Sequence, residues 1–186
     1  MAISNQVRII GGIHRGRRLR FANVPGLRPT GDRVRETLFN WLAPVIEGAD
    51  CLDLFAGSGA LGFEAASRGA GRILMLDRSP KVVRQLRENI DLMKLERTQA
   101  RQTDALKWLR GEPESFDLIF LDPPFADDLL DRLLSQLADG AWLKPGGRVY
   151  LEADAKAGLP PLPAGLVMQK EKRLGQVVFG LAGKAA

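Results

Sequence analysis

The chain has 186 residues, of which 45% are hydrophobic, and its 27 Lys and Arg residues against 22 Asp and Glu residues give a net charge of +5. This length and apolar content predict one compact domain with a buried core. The single cysteine, Cys51, excludes a disulfide framework and a cysteine-based zinc site, and the single histidine, His14, cannot build a metal site by itself.

The first predicted elements are two short basic strands around a glycine turn, "QVRII" and the end of "GGIHRGRRLRF". Residues 1–35 hold eight arginines, no lysine and one acidic residue, so their net charge is +7 and that of the remaining chain is −2. Guanidinium groups suit bidentate phosphate contacts. We therefore predict that residues 1–30 form a basic arm that binds a polyanion, although a solvated arginine-rich segment is an alternative. The candidate RNA contacts are Arg8, Arg15, Arg17, Arg18, Arg28 and Arg33.

A helix is predicted within "RPTGDRVRETLFNWLAPVI". Val34, Leu38 and Leu42 recur at helical spacing, and Asp32 is a possible N-cap. This helix is expected to end near Pro44, because proline disrupts a helix interior. It opens the second predicted unit, residues 31–186.

Short apolar runs and helical patterns alternate from Cys51 onward. The predicted strands are "CLDLF", "RILMLD", "TQARQ", "FDLIFLD" and "GGRVYLEAD". The predicted helices are "ALGFEAASRG", closed by Gly69, "SPKVVRQLRENIDLM", with Ser79 as N-cap, "DALKWLRG" and "DDLLDRLLSQLADG". The last segment, "GLVMQKEKRLGQVVFGLAG", predicts a hairpin around Leu174-Gly175.

This alternation predicts an α/β fold with a doubly wound, mostly parallel seven-stranded sheet of the Rossmann-like type. The terminal hairpin is expected to add an antiparallel strand at one edge. Ligands of such sheets bind outside the carboxyl ends of the strands. We therefore expect the carboxylates at four strand ends to lie on one rim, although Asp104 alone could be a helix cap. These carboxylates are Asp53, Asp77, Asp104 and Asp122.

The loop "DLFAGSGALG" matches the dinucleotide-binding pattern through Gly57, Gly59 and Gly62, but that match alone is weak. Asp53, four residues before Gly57, suits a ligand with positive charge better than a pyrophosphate. The roughly 60 residues after "DPPF" only complete the sheet, whereas a dehydrogenase needs a second domain or a hydride-acceptor site. S-adenosylmethionine, which carries a sulfonium and an ammonium group, fits this loop better than a nicotinamide cofactor.

The cofactor contacts follow from this hypothesis. Gly57 and Gly59 would let the backbone approach the methionine portion. Asp53 would lie near the cationic end, Asp77 would accept hydrogen bonds from the ribose hydroxyls, and Asp104 would accept one from the adenine amine. Three neighbours of these positions complete the predicted cofactor site: Phe55, Arg78 and Ala105.

The segment "DPPF", residues 122–125, predicts an amine-methylating site. An exocyclic amine is a poor nucleophile because its lone pair is delocalised into the base. Asp122 and the carbonyl of Pro123 could accept its hydrogens, Pro124 would fix the backbone, and Phe125 could stack on the base. Methyl transfer would then be an in-line displacement driven by orientation and electrostatics. A rigid turn at a strand end is the alternative.

Three stretches together, "DLFAGSGALG", "LDPPF" and "LRPTGDRVRETLFNWL", resemble the RsmD-type 16S ribosomal RNA guanine-N2 methyltransferases, and "RIIGGIHRGRRL" is similar to that family's basic arm. The resemblance implies methylation of one guanine N2 in small-subunit ribosomal RNA, with S-adenosylmethionine as donor. It also implies that Arg28, Pro29 and Thr30 border the cofactor or base pocket. We expect a monomer without a metal that acts on 16S ribosomal RNA within a small-subunit particle.

The N-terminus has no apolar region long enough for a signal peptide or a membrane span, so we expect a cytoplasmic protein. Several alternatives share some of these features. A DNA adenine-N6 methyltransferase would usually carry an extra recognition domain, and a protein glutamine methyltransferase would not explain the arginine-rich arm. An RNA-binding chaperone would not need the acidic strand ends, and a nicotinamide oxidoreductase is disfavoured by Asp53.

Overall fold

The computed structural model describes residues 5–124 and 129–184. Near the start of the chain, β1 (Gln6–Arg8) and β2 (Arg18–Arg20) form an antiparallel pair in which Val7 lies opposite Leu19. The remaining strands are β3 (Asp50–Asp53), β4 (Arg72–Asp77), β5 (Thr98–Gln102), β6 (Phe116–Leu121), β7 (Leu143–Asp154), β8 (Leu166–Leu174) and β9 (Val177–Lys184). The helices are α1 (Asp32–Leu42), α2 (Ala60–Ser67), α3 (Pro80–Met93), α4 (Ala105–Trp108) and α5 (Leu129–Asp139).

Seven of the described strands form one sheet in the spatial order β5-β4-β3-β6-β7-β9-β8. The strands from β3 to β7 run parallel to their neighbours, and β9 is antiparallel to both β7 and β8. This confirms the predicted α/β fold and seven-stranded sheet. The predicted antiparallel C-terminal hairpin is also confirmed, and within it β9 pairs along β7 from Arg148 to Asp154 while β8 lies at the edge.

Local sequence signals account for most element boundaries. Ser79 caps α3 through its side chain, which accepts from the backbone N–H of Val82, and Gly69 follows α2 with a φ of +94°. The expected Asp32 cap is wrong. Gly31 is the N-cap of α1 and makes no side-chain cap bond, whereas the Asp32 carboxylate binds two arginine side chains.

The sheet is covered on both faces, which agrees with the nearly continuous burial along its central strands β3 and β6. On one face, Cys51 of β3 belongs to a core shared with α1, α2 and α3 and with Val7 and Leu19 of the arm. On the other, Leu52 packs with residues of α4 and α5. Cys51 is fully buried, as expected for a core residue. Within residues 5–124 and 129–184, no helix combines the length and apolar character needed to cross a membrane.

Candidate active site

A cavity of about 880 Å³ opens at the carboxyl ends of the parallel strands. Its walls come from the loop before α1, the glycine loop, the ends of β4, β5 and β6, and the end of β7 with the start of β9. Such strand ends are where ligands bind in open α/β sheets. The structure therefore gathers into one cavity most of the positions that the sequence assigned to cofactor and base.

The glycines of the loop between β3 and α2 have different roles. Gly57 lines the cavity with a φ of +51°, and its N–H donates to the Asp77 carboxylate at 3.1 Å. Gly59, with a φ of +78°, starts α2, and a Cβ there would lie 2.4 Å from the Phe63 ring. Its neighbours on either side, Ser58 and Ala60, line the cavity instead. Gly59 thus serves the turn and the packing beneath it.

Asp53 ends β3 and lines the cavity, although only 1% of its surface is exposed. Its Oδ1 accepts a weak hydrogen bond from the Phe55 N–H at 3.3 Å. Burial, and next the negative charge of Asp122, raise the pKa of Asp53 to about 8. A cationic group placed in the cavity would reverse this effect, so Asp53 suits a positively charged ligand.

Asp77 ends β4, and its carboxylate is fixed by two backbone donors. Its Oδ2 accepts from Gly57 and its Oδ1 accepts from the Ser79 N–H at 2.8 Å. A carboxylate has about four acceptor positions, so each oxygen can still accept from a ligand hydroxyl. Asp77 and the following Arg78 both line the cavity, which is where a ribose contact was predicted.

Asp104 is the N-cap of α4, where its Oδ1 accepts from the Lys107 N–H at 3.0 Å. The alternative interpretation of Asp104 as a helix cap therefore accounts for one of its oxygens. The residue still lines the cavity together with Thr103 and the buried Ala105. This end of the cavity remains the candidate location for the adenine.

Asp122 follows β6 and accepts from the Thr30 hydroxyl at 3.1 Å through Oδ2. Thr30 is buried, so the loop before α1 is joined to the end of β6 inside the cavity. Burial raises the pKa of Asp122 to about 6, and the Thr30 hydrogen bond opposes this rise. Pro123 and Pro124 also line the cavity, whereas Phe125 lies outside the described residues.

The sequence analysis missed Glu152, a buried residue of β7 that lines the same cavity. Leu151 pairs with Leu121 of β6, so the next residues along the two strands, Glu152 and Asp122, lie side by side. Burial, and next the charge of Asp122, raise the pKa of Glu152 to about 7. Its position at a strand end, in the otherwise apolar run "VYLEA", was the signal that could have identified it.

The predicted RNA-binding arginines do not all line the cavity, and Arg8 and Arg18 lie opposite each other in the β1–β2 pair. Arg28 lines the cavity, and Arg33 is exposed at the start of α1. Arg8 is exposed and pairs with Asp32 at 3.1 Å. The turn between β1 and β2 carries Arg15 and Arg17 and is held at the far end of α2.

Two backbone contacts hold that turn. The N–H of Ile13 donates to the Ser67 carbonyl at 2.8 Å, and the N–H of His14 donates to the Ser67 hydroxyl at 2.9 Å. Ser67 ends α2, whereas Ala60 at the other end lines the cavity. The two ends of such a helix are about 10 Å apart. Any RNA bound by Arg15, Arg17 and Arg18 must therefore extend beyond the cavity mouth.

Arg35 has a structural role that its place in the arginine-rich region does not suggest. Its side chain is 1% exposed and donates to the carbonyls of Thr30 and Arg8 and to the carboxylates of Asp32 and Glu64. The Glu64 carboxylate also accepts from the backbone of Ile10 and Gly11. The ion pair between Arg35 and Glu64 therefore fixes both the arm and the loop before α1 to α2.

Within the described ranges, no group of three or more His, Cys, Asp or Glu side chains is arranged to hold a metal ion.

The model of the family described as "Conserved hypothetical protein 95" matches residues 7–182. The chain is 44% identical over 183 residues to "Ribosomal RNA small subunit methyltransferase D" of Escherichia coli strain K12, covering 98% of this chain and 92% of that protein. The protein of the same name from Haemophilus influenzae is 45% identical over 181 residues, with coverage of 95% and 93%.

The fold comparison agrees with these relatives. A solved structure titled "Putative methyltransferase yhhF from Escherichia coli" superposes with a TM-score of 0.90 at 41% identity, covering 96% of this chain and 98% of that chain.

Proposed function

Since this chain belongs to the family described as "Conserved hypothetical protein 95", the RsmD-type methyltransferases, we propose that it methylates the exocyclic N2 amine of one guanine in 16S ribosomal RNA. It is an S-adenosylmethionine-dependent methyltransferase of ribosomal RNA. The proposal covers the methylated atom and the residues that bind the cofactor and orient the amine. It also covers the substrate, a small-subunit particle, and the state of the enzyme, a monomer.

The observation that carries the proposal is the pairing of two carboxylates of different function in one cavity. Asp53 is buried, lacks a cationic partner among the described residues and has a pKa raised to about 8, so it favours a cationic ligand. Asp122 lies at the neighbouring strand end, held by Thr30, and is followed by Pro123. One carboxylate suits the cofactor's positive charge and the other suits an amine.

The residues also fit the remaining parts of S-adenosylmethionine. Asp77 has acceptor positions left for the ribose hydroxyls, and the backbone around Asp104 and Ala105 closes the far end of the cavity. When bound, S-adenosylmethionine supplies an electrophilic methyl group on a sulfonium. Gly57 allows the chain to turn around the methionine portion with a positive φ.

The chain's part in the reaction is to orient the amine. Asp122 and the Pro123 carbonyl accept the two N2 hydrogens, so the nitrogen lone pair points at the methyl carbon. With the methyl donor bound, the N–C bond would form as the S–C bond breaks, and the methylated amine would be left with one excess proton. Asp122, with a pKa near 6, can take that proton and pass it to water. Orientation and electrostatics supply the rate enhancement, and no covalent enzyme intermediate is needed.

The target base must leave its stack to enter the cavity, and enzymes of this kind pay a few kcal/mol to extrude a base. Arg28 at the cavity and the exposed Arg8, Arg15 and Arg17 provide cationic groups for the flanking phosphates.

The proposal is tested by mass spectrometry of nucleosides from 16S ribosomal RNA of cells with and without this protein. One N2-methylguanosine per RNA should disappear in its absence and return on complementation with the wild-type protein. An unchanged N2-methylguanosine content would refute the guanine-N2 assignment. Loss of a methylated adenosine instead would support adenine chemistry at the same site.

A further inference from the structure

Glu152 lines the cavity next to Asp122, the residue proposed to hold the amine, and the mechanism above does not use it. It is 6% exposed, lines the cavity, and lies beside Asp122 across the β6–β7 pair. Within the described part of the chain its one hydrogen-bond partner is the Tyr150 hydroxyl, which donates to Oε2. Its second oxygen is therefore left for a donor that enters the cavity.

Burying two adjacent carboxylates is costly unless donors satisfy them. Tyr150 and Glu152 are two residues apart on β7 and share a sheet face, so the phenol fixes the direction of the carboxylate. The other carboxylates that line this cavity are Asp53, Asp77, Asp104, Asp122 and Asp154, and none of them is hydrogen-bonded to Glu152. A ligand that donates to the second oxygen of Glu152 would therefore offset part of this cost.

The Watson–Crick edge of guanine supplies donors in the matching order. Its N2 amine and its N1–H are adjacent, both donate, and they can face two adjacent carboxylates. Adenine presents a donor at N6 but an acceptor at N1, which would meet the Glu152 oxygen with its lone pair. We propose that Glu152 is the residue that selects guanine, by accepting from N1–H while Asp122 accepts from N2. This inference rests on the guanine-N2 activity proposed above.

The test compares the wild-type protein with E152Q and Y150F, with E171Q on the exposed side of β8 as a matched control. The guanine methylated by the wild-type protein is first mapped by mass spectrometry. Substrate RNA is then prepared with guanine or adenine at that position, and kcat and KM are measured with both RNAs. Calorimetry with S-adenosylmethionine on each variant reports folding and cofactor affinity.

For guanine RNA, E152Q should lower kcat/KM by about tenfold to a hundredfold, mainly through KM, because one charged hydrogen bond is lost. For adenine RNA, E152Q should raise activity, because an amide can donate to N1 and so relax selection. Y150F should lower kcat/KM for guanine by less than E152Q does. E171Q should match the wild-type protein.

Two results would overturn the role of Glu152. Either E152Q keeps the wild-type preference for guanine with an unchanged KM, or it loses cofactor affinity as strongly as RNA turnover, which would make Glu152 a cofactor contact. If the wild-type protein methylates no guanine N2, the mass-spectrometric mapping will find no target position. That outcome refutes the proposed function, and with it the inference, before any variant is measured.

Discussion

Replacing Asp53 by asparagine tests whether this buried carboxylate receives the positive charge of the cofactor. With a pKa of about 8, Asp53 of the ligand-free protein is protonated in about nine molecules of ten at pH 7. A cationic ligand favours the ionised form, so binding should release about one proton at pH 7. The cofactor affinity should then rise about tenfold per pH unit up to pH 8, and level off above it.

Calorimetry in buffers of low and high ionisation enthalpy measures this proton release directly. For Asp53→Asn we expect release to fall to less than half, a weaker dependence of affinity on pH, and an affinity at pH 8 that is about tenfold to a hundredfold lower. Asp91→Asn, an exposed position of α3, is the control and should behave as the wild-type protein. Wild-type binding that releases no proton and does not vary between pH 6 and 8 would refute the assignment of Asp53.

The same carboxyl group predicts how the ligand-free protein responds to pH. Its folded-state pKa of about 8 lies above the ordinary value, so the native state binds more protons than the unfolded state between about pH 4 and pH 8. The free energy of unfolding should therefore fall as pH rises through this window. Asp53→Asn should reduce that fall, and urea unfolding at several pH values would detect it.

Three further changes test other parts of the molecule. Asp77→Ala should weaken S-adenosylmethionine binding by at least tenfold, since charge-assisted bonds to the ribose contribute about 1.5 to 3 kcal/mol each; unchanged calorimetric affinity would mean that the ribose lies elsewhere. Replacing Arg15, Arg17 and Arg18 by alanine should weaken RNA binding and leave cofactor affinity unchanged. In filter-binding measurements, the slope of log affinity against log salt concentration should become shallower by about 2. An unaltered slope would mean that these arginines do not contact RNA. Glu64→Gln should cost about 3 kcal/mol in urea unfolding, because Arg35 would lose its buried carboxylate partner and keep only the half-exposed Asp32. A loss below about 1 kcal/mol would contradict that role.

Local signals explain why so much of the fold could be predicted. β4 has the predicted bounds because turn residues flank a short apolar run, the predicted β5 segment also has the bounds observed, and Ser79-Pro80 defines the start of α3. The position of β9 between β7 and β8 depends on long-range pairing along β7, to which local patterns are insensitive. The Asp32 cap was wrong because its carboxylate pairs with Arg35, three residues along the same helix, and with Arg8 of the arm.

The cavity was partly predictable in the same way. Three of the four strand-end carboxylates follow apolar runs, and the strand-end rule was enough to place them at one edge. Glu152 obeys that rule too, but its importance depends on lying beside Asp122, which only the β6–β7 register reveals. Burial of Arg35 could not be inferred either, because its partner Glu64 is 29 residues away and belongs to another helix.

The central claim is that Asp122 orients the N2 amine of a guanine, and single-turnover methylation tests it most directly. Wild-type protein, Asp122→Ala and Asp122→Asn are each mixed with small-subunit particles lacking the modification and with S-adenosylmethionine carrying a labelled methyl group, and the labelled nucleosides are identified by mass spectrometry. The wild-type protein should place the label on guanine N2. Asp122→Ala should be slower by about a hundredfold or more with most of its cofactor affinity intact, and Asp122→Asn, whose amide oxygen still accepts, should be intermediate. Near-normal methylation by Asp122→Ala, or label on any atom other than guanine N2, would contradict the claim.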